Sequence, residues 1–169
     1  YNIPNFITLL RILSIPFLIF SITKEFWLPA LIILIFAAFS DWLDGELARR
    51  LKQATRTGAI LDHTADALLV VSCLAALSFY STVLPLLPLL VAVTFVHYLL
   101  LGRSGKALPA SRLGKFNGVA YYLLVLATLV AEVFMEFPKS LLMSFNLLLI
   151  ATTGLLFIRN IRTGRVSGG

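Results

Sequence analysis

Apolar residues run along this chain in long stretches, broken only where short polar and charged clusters intervene. The stretches lie at Ile7–Ile22, Trp27–Phe39, Gly58–Tyr80, Val83–Leu101, Val119–Val133 and Leu141–Ile158. Most approach the roughly 20 residues a helix needs to cross a bilayer. The pattern predicts an all-α integral membrane protein with six transmembrane helices. The second stretch is too short if it stops at Phe39. It reaches spanning length by running on through Ser40 to Arg49, and that polar end must then face protein or a wet cavity. Ahead of the first span, Asn2–Arg11 is expected as a short N-terminal interfacial segment. Pro29, Pro85 and Pro88 fall early in their spans, where a helix tolerates proline best.

Composition agrees. Of 169 residues, 59% are hydrophobic and 13% charged, against about 25% charged in an ordinary soluble domain. So much apolar surface cannot be hidden inside so small a globule, and a bilayer supplies the missing solvent. Cys73 stands alone in an apolar run, which excludes a disulfide framework and a thiolate metal site and leaves a small buried hydrophobe. No cleavable signal peptide is legible. The domain is expected to cover residues 1–166, with Ser167-Gly168-Gly169 and the missing initiator Met read as marks of a trimmed or engineered chain.

The net charge of +6 is sorted by position. Arg49, Arg50, Lys52 and Arg56 lie between spans two and three. Arg103, Lys106, Arg112 and Lys115 lie between four and five, and Arg159, Arg162 and Arg165 follow six. Arg11 belongs with them near the N-terminus, while Lys24 and Lys139 fall on the opposite side. The positive-inside rule places both termini and the basic loops in the cytoplasm, in a multi-pass protein of the cell membrane. Topology and attraction to anionic lipid headgroups account for the charge, with no nucleic-acid partner.

Every aspartate falls in one window: Asp41, Asp44, Asp62 and Asp66. On helices, Asp41, Asp44, Gly45 and Ala48 share one face, and Gly58, Asp62 and Asp66 share another. The basic turn between them reverses the chain, so the two stripes run antiparallel, with Asp44 and Asp62 both on the order of 6–9 Å from the turn. Four carboxylates therefore converge near the cytoplasmic surface, and no basic residue stands out as their partner at that depth. Protonating some of them is one relief and divalent cations are the other, and oxygen-only ligands favour hard ions such as Mg2+, Mn2+ or Ca2+. The small residues leave space for a diphosphate against the helices, and Arg49 adds a fork for phosphate.

These residues spell Asp-x-x-Asp-Gly-x-x-Ala-Arg followed by Gly-x-x-x-Asp-x-x-x-Asp, which resembles the signature of the CDP-alcohol phosphotransferase (CDP-alcohol phosphatidyltransferase) family. All eight positions are filled, by Asp41, Asp44, Gly45, Ala48, Arg49, Gly58, Asp62 and Asp66. Asn2-Ile3-Pro4-Asn5, Thr8-Leu9-Leu10-Arg11 and Leu113-Gly114-Lys115 extend the likeness toward phosphatidylglycerophosphate synthases. The resemblance implies a six-helix fold, a homodimer, and an active site open to the cytoplasm. It implies two divalent ions (Mg2+ or Mn2+) on Asp41, Asp44, Asp62 and Asp66, with Asp66 as general base and Asp62 also catalytic. It places the CDP moiety against Asp41, Gly45, Ala48, Arg49 and Gly58. The activity implied is transfer of a phosphatidyl group from CDP-diacylglycerol to a small alcohol, with glycerol 3-phosphate favoured, in phospholipid biosynthesis. Inositol phosphate, serine and phosphatidylglycerol are alternative acceptors.

The sequence departs from many relatives at His63, Ala67 and Val96-His97-Tyr98, which bears on the acceptor rather than the chemistry. Arg103, Arg112 and Lys115 are candidate contacts for a phosphorylated acceptor, although positive-inside charge explains them equally. His63 reads as an interfacial histidine, His97 as a satisfied packing residue, and Gly114-x-x-x-Gly118 as a close helix contact. A non-enzymatic cation transporter could use the same carboxylates, but Ala67–Val71 continues span three without polar residues, which suits a site open on one side.

Overall fold

The computed structural model describes residues 3–50, 56–103, 112–134 and 138–166, and the side-chain surroundings of 8–40, 62–100, 113–134 and 138–162. Six helices follow one another: α1 (Ile3–Thr23), α2 (Trp27–Arg50), α3 (Arg56–Tyr80), α4 (Leu86–Arg103), α5 (Arg112–Phe134) and α6 (Lys139–Val166). The expected six-helix architecture is present, and no strand occurs among the described residues. Windows long and apolar enough to cross a bilayer occur at Asp62–Tyr80, Leu113–Phe134 and Lys139–Arg162, with shorter apolar helices at Thr8–Thr23, Trp27–Ser40 and Leu86–Leu100.

Helices outrun the apolar stretches that predict them. α5 begins at Arg112 rather than Val119, and α6 continues to Val166 rather than Ile158. Backbone hydrogen bonding does not stop where the apolar residues do, and cations are welcome at a helix C-terminus. Likewise residues 3–11, expected as an interfacial segment, form the first turns of α1 with no break before the span. Pro16 sits inside α1 without ending it; its missing N–H is the sort of local loss that neighbouring helices make tolerable in a membrane.

α1 packs on α2 and α3, α4 on α3 and α6, and α5 on α2, α3 and α6. Leu18, Ile22, Leu34, Leu74, Leu77 and Leu124 are among the fully or nearly fully enclosed side chains at these contacts. The outward faces are apolar too: Phe17 is 67% exposed, Phe36 69% and Phe79 83%. Such a surface would be unfavourable in water and is the one a bilayer covers.

Polar residues tie down the end of the bundle away from the aspartates. The α1–α2 turn closes with Phe26 N–H on the Ser21 carbonyl at 2.8 Å and Glu25 N–H on that of Ile22 at 3.0 Å. This is a Schellman end, and Glu25 takes its left-handed position with φ 56°. Ser81 donates to Glu132 at 2.6 Å, and buried Asn146 accepts from the Leu84 N–H at 3.3 Å. These contacts hold the described parts of the α1–α2 and α3–α4 connections, at the end opposite the candidate site.

Candidate active site

α2 runs unbroken from Trp27 to Arg50, so positions 41, 44, 45 and 48 fall on one helical stripe, as expected from the polar extension of span two. The side chains of Asp41, Asp44, Gly45, Ala48 and Arg49 lie outside the described residues, as do those of Gly58, Arg103 and Arg112. Asp62 and Asp66 are described. They sit one turn apart on α3, and their carboxylates are 38% and 31% exposed.

Both point to Arg11. Its Nη1 donates to Asp62 Oδ1 at 2.8 Å and to Asp66 Oδ1 at 2.6 Å, and its side chain is 0% exposed. This corrects the reading that the carboxylates lack a basic partner at their depth. Arg11 is not a topology charge at a membrane surface. It is a buried guanidinium on α1 that bridges two residues of α3, and it accounts for part of the α1–α3 contact. Desolvating a cation this thoroughly is tolerable where carboxylates meet it, as these two do.

On α3, Asp66 also borders an open cavity of about 670 Å³ lined by residues of α2, α3, α4, α5 and α6, a size typical of small-molecule sites. Its polar lining includes His63 on α3, Thr94 and Tyr98 on α4, Lys115, Asn117, Tyr121 and Tyr122 on α5, and Asn160 on α6. Of the three cations expected near an acceptor, Lys115 lines the same cavity as Asp66. Ala38 and Tyr122 also line a second, apolar cleft of about 340 Å³ between α2 and α5.

Thr94, Asn117, Tyr121 and Tyr122 were not legible as site residues, since single neutral polar residues in apolar spans carry no pattern. Two expectations change here. Gly118 does not serve close packing within the chain: it lines the cavity, and a Cβ built on it meets nothing within 4 Å. His97 packs edge-on against Phe157 at 5.6 Å, but its Nε2 is buried without a hydrogen-bond partner among the described residues. His63, exposed as expected, meets the edges of Phe95 and Tyr98 at 5.7 and 5.8 Å.

No group of three or more potential metal ligands occurs among the described residues. The fit of a divalent ion therefore rests on Asp62 and Asp66. Each meets Arg11 through Oδ1. Both carboxylates remain partly open, 38% and 31% exposed. Hard oxygen donors of this kind suit Mg2+ or Mn2+.

Comparison with known proteins gives a consistent result. The family model for CDP-alcohol phosphatidyltransferase matches residues 1–157. A CDP-diacylglycerol–glycerol-3-phosphate 3-phosphatidyltransferase of Pectobacterium atrosepticum is 46% identical over 83 residues, 47% of this chain and 46% of that protein. Proteins of the same description from Yersinia enterocolitica and Salmonella choleraesuis are 50% identical over 72 residues and 51% over 73, each match covering 41% of this chain and 40% of the relative. The matched segment thus spans less than half the length of these relatives.

Proposed function

The chain belongs to the CDP-alcohol phosphatidyltransferase family, and from that premise we propose that it transfers a phosphatidyl group from CDP-diacylglycerol to glycerol 3-phosphate. One observation carries the reading: Asp66, the last aspartate of the motif, opens on a cavity that also holds Lys115. A carboxylate and a cation in one small-molecule cavity give an alcohol phosphate both of the groups it needs. The acceptor hydroxyl gives its proton to Asp66 and its oxygen bonds to the phosphorus carrying the diacylglycerol. The bond from that phosphorus to the bridging oxygen of the diphosphate breaks, and CMP leaves. Lys115 holds the acceptor's own phosphate.

Asp41, Asp44, Asp62 and Asp66 would hold two divalent ions, which neutralise the diphosphate and stabilise the departing CMP when bound. Gly45, Ala48, Arg49 and Gly58 would receive the nucleotide, and the apolar cleft between α2 and α5 suits an acyl chain of the donor. Arg11 fixes the orientation of Asp62 and Asp66. The sorted Lys and Arg residues support a site and termini on the cytoplasmic side, and a homodimer within the membrane completes the proposal.

The test is direct. Purified protein would be given CDP-diacylglycerol, Mg2+ or Mn2+, and a panel of glycerol 3-phosphate, inositol phosphate, serine and phosphatidylglycerol, with CMP release as readout. Release dependent on glycerol 3-phosphate and lost in EDTA supports the reading. No release with any acceptor overturns it, and release with another acceptor alone moves the assignment to that alcohol.

A further inference from the structure

The cavity beside Asp66 contains a hydrogen-bond relay whose direction can be worked out from its protons. Thr153 on α6, 0% exposed, donates its hydroxyl proton to the Leu149 carbonyl at 2.5 Å. Its oxygen must then accept from Tyr121 Oη, which lies 2.6 Å away. Tyr121 has thereby used its own proton, and its oxygen accepts from Asn117 Nδ2 at 3.3 Å. The Asn117 amide is held one way round, with nitrogen toward Tyr121 and oxygen away from it.

That oxygen, Oδ1, has no hydrogen-bond partner among the described residues. Asn117 is 1% exposed and forms part of the cavity wall. A buried acceptor left unmade is costly, and bulk water does not reach this one. A donor seated against this wall of the cavity, with a small shift of the amide, would supply the partner. Thr94 Oγ1, on α4 and in the same wall, is a second buried polar atom without a partner, but a hydroxyl can turn to donate or accept and sets no preference. Asn117 does.

Resting on the acceptor reading above, we infer that Asn117 is a specificity-determining residue that accepts a hydrogen bond from a second, non-reacting hydroxyl of the acceptor. With Asp66 on the reacting hydroxyl and Lys115 on the phosphate, the cavity reads three groups of a vicinal diol phosphate. An acceptor without the middle hydroxyl leaves the Asn117 oxygen unpaired. Sites built around a hydroxyl reject analogues lacking it for that reason.

The experiment compares glycerol 3-phosphate with propane-1,3-diol monophosphate, which lacks only the middle hydroxyl, in CMP release by the full chain. Wild type should use the analogue on the order of ten- to a hundredfold less efficiently in kcat/KM. In Asn117→Leu the two acceptors should come within about twofold of each other, with the KM for CDP-diacylglycerol unchanged. Tyr121→Phe, a milder change that frees the amide to turn, should lose part of the discrimination, which a purely structural role would not touch. Equal use of both acceptors by wild type overturns the inference while leaving the proposed activity standing, as does full discrimination retained in Asn117→Leu or, should that variant not fold, in Tyr121→Phe. Absence of CMP release with either acceptor in wild type takes down both.

Discussion

Replacing Arg11 by Gln removes the cation that joins α1 to the aspartates of α3. Its Nη1 makes contacts of 2.8 and 2.6 Å from a side chain that is 0% exposed, and each charge-assisted hydrogen bond of this kind contributes about 1.5–3 kcal/mol. The carboxylates are 38% and 31% exposed, so water restores part of their solvation when the guanidinium goes. The lower ends apply, giving a loss of about 3 kcal/mol, at the bottom of the range for breaking a buried pair. At about 2–4 °C per kcal/mol for a chain of this size, the melting temperature should fall by about 6–12 °C.

Cys73 supplies the assay. It is the chain's one cysteine and is 0% exposed on α3, so a thiol-reactive fluorophore in detergent lights up only as the bundle opens. EDTA keeps divalent ions out of the comparison. The decisive measurement is a cycle. In an Asp62→Asn, Asp66→Asn background the two carboxylate contacts are gone, so adding Arg11→Leu should lower the melting temperature much less than the same change does in wild type. If Arg11→Leu lowers stability equally in both backgrounds, packing of the side chain is what α1 contributes, and the ion pair is not what holds it there.

Three further outcomes follow from other parts of the chain. Asp44→Asn should abolish CMP release and weaken Mn2+-dependent donor binding, whereas Asp66→Asn should lose turnover more than binding; equal binding defects would make Asp66 mainly a ligand. Gly118→Leu should raise the acceptor KM while leaving melting unchanged, because space stands open at that Cβ; a marked fall in melting temperature would restore a packing role. Glu25→Gly, relieving a left-handed position at the α1–α2 turn, should stabilise the chain by about 1 kcal/mol, read as a rise of about 2–4 °C.

The six helices were legible because hydrocarbon demands long apolar runs, and that demand is written residue by residue. The aspartate motif was legible for a similar reason: its spacing is local, set by the helical period within α2 and within α3. Arg11 was not, because 51 and 55 residues separate it from its partners. A signal was nevertheless available. Leu9-Leu10-Arg11-Ile12-Leu13 embeds one cation among apolar residues, the same anomaly that marks an intramembrane aspartate as functional. Counting Arg11 with the surface charges hid it. The relay of Asn117, Tyr121 and Thr153 carries no such anomaly, since its members are commonplace and it forms only when α5 meets α6.

Arg11 and the cavity together constrain how Asp66 can work. The carboxylate is held by a guanidinium from α1 and also borders the chamber that the acceptor would enter. With Oδ1 pinned at 2.6 Å, rotation of the carboxylate about its bond is resisted, and the direction of Oδ2 is set before any ligand arrives. Proton abstraction depends on such alignment, because the base must lie within hydrogen-bond reach of a hydroxyl itself positioned for attack. Arg11 thus belongs to the candidate active site by geometry, although it is not among the residues lining the cavity. Arg11→Lys, which keeps the charge but shortens the reach, should therefore retain more stability in EDTA than Arg11→Gln and yet lose turnover through kcat rather than through either KM. A variant with wild-type kcat would show that Arg11 neutralises the aspartates without aiming them.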